Sequence, residues 1–229
     1  MEIQKTLFSI LIVTVFIAVL LLIVNRVLVK VDPLDKPKGI VLLLMMAVDF
    51  ISGIVNGAIK DKKIADKLIP YFLTVIVYVF LSNVAGLFSI ECPTSNYSVT
   101  LTLAALTCIL IEVCSYKAKG TKKYLHGWVE PMAPFLVMNL ISKLATLLSL
   151  SLRLFGNILA GGILMSVVYQ LFDNVSKMIP VIGNINIVAI IVAPVLHFYF
   201  DLFSGVMQAF LFTNLSANFI GNELPNEDE

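Results

Sequence analysis

The sequence predicts an all-α membrane protein. Five transmembrane helices are expected, the last two long and tilted as an antiparallel pair, plus one amphipathic interfacial helix. Three observations carry that expectation. First, 59% of the 229 residues are hydrophobic and only 14% are charged, against about 25% charged in a soluble domain; mean hydropathy is +0.96. Second, the apolar residues gather in runs as long as a bilayer requires. Third, the basic residues concentrate in two of the segments between those runs. This composition excludes an ordinary cytosolic enzyme, a disordered tail and a nucleic-acid binder. Cys92, Cys108 and Cys114 show no CxxC spacing and support neither a disulfide framework nor a metal site. The length suits a single integral membrane domain over 1–229, with no separate soluble unit.

The first span is expected at 7–28, opening on the uncharged run 7–24. A signal peptide is the competing reading, but the run is too long and no small-x-small cleavage site follows. In 40–59, Asp49, Ser52, Gly53, Asn56 and Lys60 recur at spacings of three or four, so they share one helical face opposite Leu, Met, Ile and Val. That pattern predicts a helix lying in the interface. A sixth span there would place Asp49 in hydrocarbon. Spans follow at 68–90 and 98–115, then apolar stretches at 132–172 and 185–220. As helices the last two would measure roughly 61 and 54 Å, far more than the roughly 30 Å of hydrocarbon. A break at Gly156 would leave Arg153 in a loop and reverse the topology downstream. Two steeply tilted helices joined by an outer turn at Asp173–Asn184 are therefore expected, with a packing partner that fixes the tilt.

Loop charge sets the orientation. Beyond the uncharged run that ends at 24, Arg26, Lys30, Lys36, Lys38, Lys60, Lys62, Lys63 and Lys67 precede the second span, and Lys117, Lys119, Lys122 and Lys123 fall between the third and fourth. Only Lys5 and Lys177 fall on the other side. The positive-inside rule then puts the N-terminus outside and the acidic tail, Asn226 to Glu229, in the cytoplasm. A six-span count would split the two basic segments across the membrane.

Two charges, Arg153 and Asp201, stand near the middle of the apolar runs. Arg153 lies near the middle of its stretch, where an ionised side chain costs at least about 2.5–3.5 kcal/mol on insertion scales. Asn157 follows on the same helical face, among Gly156, Ala160, Gly161 and Gly162, small residues that admit another helix closely. On the last stretch His197, Asp201, Ser204, Gly205 and Gln208 fall on one polar stripe. The competing structural readings are a packing groove whose Arg neutralises an internal carboxylate, and a His197 that satisfies a backbone carbonyl. A lone intramembrane carboxylate such as Asp201 needs a partner or takes up a proton.

SLSLRLFGNILAGG around Arg153 and the later VMQAFLFT resemble subunit a of the F-type rotary ATP synthase, the stator subunit of its membrane sector. GIVNGAIKDKK and LIPYFLTVIVYVFLSNVAGLF resemble that family's surface helix and second span, so the likeness covers nearly the whole chain. It implies that Arg153 faces a rotating ring of c subunits and that Asn157 and Gln208 line the ion path. Asn83 matches a polar channel-side position. The implied partners are the c-ring, the peripheral-stalk b subunits, the remaining synthase subunits and membrane lipid.

The chain also departs from the common bacterial pattern. Many relatives carry Glu where this chain has Gly162, and His where it has Asp201. An antiparallel register with Arg153 opposite Gln208 sets Asp201 opposite residues near 160, so Asp201 is expected to inherit the relay role. Gly86 stands where many relatives have an acid in the outer channel, and Asn139 where many have one in the inner channel.

Lys143 is expected to snorkel towards the headgroups. Glu112 either borders the inner channel or is interfacial. Tyr124, His126 and Trp128 are expected in the third cytoplasmic loop.

The ion-translocating residues expected from this reading are Arg153, Asn157, Asp201, Gln208, His197 and Asn83. The expected role is a stator subunit with two offset half-channels that pass protons to and from the ring's carboxylates. No GxxxxGK[ST] loop is present, no cofactor or metal is implied, and the chain is not expected to be an enzyme by itself. Two alternatives stay open: a secondary transporter binding substrate between Arg and Asp, and a structural anchor using the charges to pair helices. The transporter reading lacks the internal repeat such folds usually show, and the anchor leaves the overlong helices unexplained. The Lys-rich inner loops suit a bacterial plasma membrane.

Overall fold

The computed structural model describes residues 2–29, 39–88, 92–129, 134–178 and 187–225. Lys30, Lys36, Lys38 and the acidic tail 226–229 lie outside them. The described chain is helical throughout its ordered elements: α1 Glu2–Val29, α2 Ile40–Ala58, α3 Lys62–Val84, α4 Tyr97–Val129, α5 Phe135–Met178, α6 Ile187–His197 and α7 Ser204–Glu223. Six stretches are long and apolar enough to cross a membrane, and α2 is one of them by length and composition.

Local chemistry sets several boundaries. Asp61 accepts a 2.9 Å bond from the Lys63 amide and caps α3, leaving only Ile59 to Asp61 as the turn from α2. Asn96 caps α4 through a 2.9 Å bond from the Ser98 amide. Short 3-10 turns at Ala85–Phe88 and Pro93–Ser95 lie between α3 and α4. Gly120 interrupts α4 with φ 74° and ψ 163°, a conformation open to glycine without steric cost.

The expected third loop is therefore partly helical. Tyr124, His126 and Trp128 lie on the helical run beyond Gly120, because the chain needs only one glycine to turn and then resumes its hydrogen-bond ladder. Similarly, α5 continues to Met178, so the first part of the expected outer turn at Asp173–Asn184 is helix; 179–186 lie outside the described residues. The last apolar stretch runs unbroken from α6 into α7, but through a π-helical segment at Phe198–Phe203. That widening begins one turn after Pro194, whose missing N–H and ring disturb the α-helical ladder.

Three apolar clusters hold the bundle together. One joins α2, α3, α4 and α7 through Ile51, Val55, Leu68, Phe72, Ile111 and Ile220. A second joins α3, α4, α5 and α7 through Val75, Val79, Ala104, Leu150, Leu154 and Phe212. The third seats Val13 and Ile17 of α1 against Ala85. Two close approaches need glycine. A β-carbon on Gly205 would come 2.7 Å from the Asn83 β-carbon, and one on Gly221 would collide with the Ala58 carbonyl. Tyr71 and Thr107, 2.7 Å apart, add a polar tie between α3 and α4.

Candidate functional site

The α5 and α6–α7 helices run antiparallel in a register that contacts fix at two points. Ser204 Oγ donates to Asn157 Oδ1 at 2.6 Å, and Gly161 packs against Phe200, whose β-carbon would lie 3.7 Å from a methyl group added to that glycine. Both pairs belong to one register, and it sets Arg153 opposite Gln208 and Asp201 opposite residue 160.

Arg153 is exposed on α5. Among the described residues no carboxylate lies within ion-pair distance of it. The competing idea of an arginine that neutralises an internal carboxylate is therefore overturned: Asp201 pairs elsewhere. Among the described residues, a β-carbon on Gly161 would meet Phe200, whereas β-carbons on Gly156 and Gly162 would meet nothing within 4 Å. A guanidinium thus stands on an open helical face flanked by residues that permit close approach.

The expected polar stripe on the last helix is split. Its even α-helical spacing fails across the π-helical turn, where the Ser204 amide bonds to the Tyr199 carbonyl, five residues back. Ser204 meets Asn157, and Gly205 meets Asn83. Gln208 is buried, and its amide nitrogen has no partner among the described residues. Asn83 is also buried and donates to the Val79 carbonyl at 2.9 Å.

Asp201 forms a separate chain with two aromatic partners. Its Oδ2 lies 2.7 Å from His197 Nδ1, and Tyr169 Oη lies 2.9 Å from His197 Nε2. His197 is therefore engaged by side chains on both ring nitrogens, and the backbone-carbonyl reading does not hold. The Asp201 carboxyl points past α5 towards the end of α3: a β-carbon on Gly86 would lie 3.9 Å from its Cγ and 3.0 Å from Cys92 Sγ. The glycine leaves the space that Asp201 fills. Burial, and then the charge of Asp201, push the Cys92 thiol up to about 11. Tyr169 and Cys92 escaped the sequence reading because an aromatic in an apolar run reads as core and a lone loop cysteine has no pattern.

Arg153 lies in height between Leu150 and Leu154, both buried in the apolar cluster with Val75, Val79, Ala104, Ala209 and Phe212. On one side of this layer lie Asn83, Asn157, Ser204 and the Asp201 chain. On the other lies a second polar group. There Lys143 Nζ sits 2.6 and 2.7 Å from the two Glu112 carboxylate oxygens and 4.2 Å from the Trp128 ring centroid. Lys143 is thus ion-paired between helices, where the sequence suggested a snorkelling anchor. Asn139 donates to the Trp128 carbonyl at 3.0 Å.

Arg153, without an ion-pair partner among the described residues, stands on an exposed helical face with polar groups on both sides of an apolar layer, and comparison with known proteins decides the family. The model of the ATP synthase A chain family matches residues 6–221. The chain belongs to the ATP synthase A chain family. A Staphylococcus aureus protein named ATP synthase subunit a is 33% identical over 226 residues, 94% of this chain and 88% of the relative. A Bacillus pumilus protein of the same name is 33% identical over 189 residues, 79% of this chain and 77% of the relative. Membership of the ATP synthase A chain family excludes the secondary-transporter and bare-anchor readings, and it makes the chain an integral membrane subunit without catalytic chemistry of its own.

Proposed function

We infer that this chain is the proton-translocating stator subunit of an F-type ATP synthase and forms two offset half-channels beside a ring of c subunits. The observation that carries the reading is Arg153: exposed, unpaired among the described residues, and level with the apolar layer that separates two polar groups. A charge so placed calls for a carboxylate from outside the chain, since an unpaired intramembrane arginine is costly.

The proposed cycle follows from electrostatics. A proton entering from outside passes the Tyr169–His197–Asp201 chain and the Asn157–Ser204 pair, then neutralises a ring carboxylate. The neutral carboxyl enters lipid, and rotation carries it almost fully round. It then releases its proton on the inner side. Passing Arg153 it must be ionised, which the permanent guanidinium charge favours. The guanidinium does not release its own proton, so it conducts nothing between the two paths. A membrane potential supplies about 2.3 kcal/mol per charge for each 100 mV.

The orientation belongs to the same proposal. The N-terminus lies outside and the C-terminus in the cytoplasm of a bacterial plasma membrane, supported by the basic residues flanking α2 and those around Gly120. In that frame α2 is the interfacial helix and α5 and α6–α7 cross steeply tilted, since 44 residues of α5 span about 66 Å. The ring and the b subunits are the partners that hold the tilt. The deciding experiment replaces Arg153 with Ala in the assembled synthase in inverted vesicles. ATP synthesis driven by an imposed gradient is expected to disappear; synthesis at the parental rate would overturn the proposal.

A further inference from the structure

A cleft between α4, α5 and α7 lies on the side of the apolar layer away from Asp201. It consists of two cavities of about 200 and 140 Å³. The larger runs from Cys108 and Thr146 to Glu112; the smaller runs from Tyr124 and Trp128 to Asn139. Ser142, Lys143 and Glu223 belong to the walls of both, so the two meet at these side chains. The cleft stops short of Arg153: Thr146 is about 10 Å below it along α5, and Leu150 is already in the apolar layer.

The walls are polar and titratable, with Glu112 on α4 facing Lys143 on α5. Glu112 stands at the junction, gripped by Lys143 through both oxygens. It also accepts a 2.6 Å bond from the Tyr124 hydroxyl. Its oxygens thus adjoin the larger cavity, while Tyr124 opens on the smaller one. Glu223 has a looser position, 3.1 Å from Lys119 and 3.3 Å from Ser115. The Trp128 indole nitrogen, in the wall of the smaller cavity, is buried with no partner among the described residues. A cavity of this size lined by polar side chains has room and partners for ordered water.

We propose that this cleft is the inner proton path and that Glu112 is its relay carboxylate, with Lys143 as the residue that positions it. The assignment rests on the stator reading above. A proton released by the ring carboxylate reaches water in the larger cavity, and one Glu112 oxygen takes it up. The carboxyl then gives a proton to water of the smaller cavity, beside Tyr124, and returns to its ionised state. The proton gained equals the proton lost. Lys143, held against the Trp128 ring, keeps the carboxylate at the junction during both transfers. Asn139 lines the smaller cavity but has no titratable proton, so it supports hydrogen bonding without the transfer.

The test uses the full synthase in inverted vesicles, reading ATP-driven proton pumping, and passive proton conduction after removal of the catalytic sector. Glu112→Gln is expected to lower both by about tenfold or more per assembled complex, the usual scale for loss of a proton-transfer group. Adding Asn139→Asp to that variant returns a carboxylate to the same cleft and is expected to recover conduction with a changed pH profile. A purely structural role for the Glu112–Lys143 pair predicts no such recovery. In the parental complex a membrane-impermeant thiosulfonate applied to the cytoplasmic face is expected to modify Cys108 and block conduction. Parental conduction in Glu112→Gln, no recovery in the double variant, or an unreactive Cys108 would each overturn the assignment. Arg153→Ala, measured in parallel, separates the two levels: its inactivity beside a fully active Glu112→Gln removes the relay and leaves the stator reading intact.

Discussion

Ser204 Oγ and Asn157 Oδ1 are 2.6 Å apart, and this bond ties the π-distorted helix to α5 one turn above Arg153. It sets the height of everything on the last helix relative to the arginine. In a membrane such bonds contribute only about 0.6 kcal/mol on average, so its value lies in register more than in stability. Ser204→Ala and Asn157→Ala are each expected to lower coupled ATP synthesis, and the double variant to lose little more than the worse single one. Partners in one bond behave non-additively. Additive losses, measured as synthesis rates in inverted vesicles, would show that the two side chains act separately.

The apolar layer makes a second prediction. Leu150 is fully buried in it between the two polar groups. Leu150→Ser removes packing and adds a hydroxyl that holds water, joining the paths. Passive proton leak through vesicles stripped of the catalytic sector is expected to rise several-fold. Leu150→Ala makes an apolar gap that stays dry and is expected to leak less than Ser. Equal leak from both variants would indicate that packing alone forms the barrier.

Tyr169, His197 and Asp201 form a continuous chain of contacts at 2.9 and 2.7 Å. Asp201→Asn keeps the shape but cannot take up and release a proton, and synthesis is expected to fall about tenfold or more across about pH 6 to 9. Tyr169→Phe removes only the terminal hydroxyl and is expected to cost less. His197 bridges the other two through both ring nitrogens, so His197→Ala breaks the chain and is expected to lower synthesis as much as Asp201→Asn does. Unchanged coupling in Asp201→Asn takes Asp201 out of the relay.

These residues show what the sequence discloses. The long helices were legible because hydrophobic runs report burial directly. Arg153 was legible because a charge in such a run has a cost that demands a reason. Spacing gave the position of Asp201 only once Arg153 was set opposite Gln208, and the Asn157–Ser204 bond supplies that register. The direction of Asp201 was not legible: it depends on a hydrogen-bond ladder that widens after Pro194, and even spacing does not reveal that. Nor was the Glu112–Lys143 pair, whose members are 31 residues apart on separate helices and meet only in the folded bundle. Gly86 looked like a lost acid. Beside Asp201 it is the space that lets a carboxylate from another helix stand there.

Cys92 gives the last prediction, because it senses Asp201 from the loop between α3 and α4. Its thiol is raised to about 11, first by burial and then by the Asp201 charge. Both causes disfavour the thiolate, which is the reactive form. At pH 8 only about one thiol in a thousand is then ionised, against about one in four for an unperturbed cysteine near pKa 8.5. Labelling by an impermeant thiosulfonate from the outer face is therefore expected to be slow at pH 8, and to rise about tenfold per pH unit up to about pH 11. Asp201→Asn removes the repelling charge but not the burial. It should lower the thiol's midpoint without returning it to the free value, so labelling at pH 8 accelerates while remaining slower than for an exposed cysteine. A profile that Asp201→Asn leaves in place would mean that burial alone raises the thiol and that Asp201 contributes nothing to it.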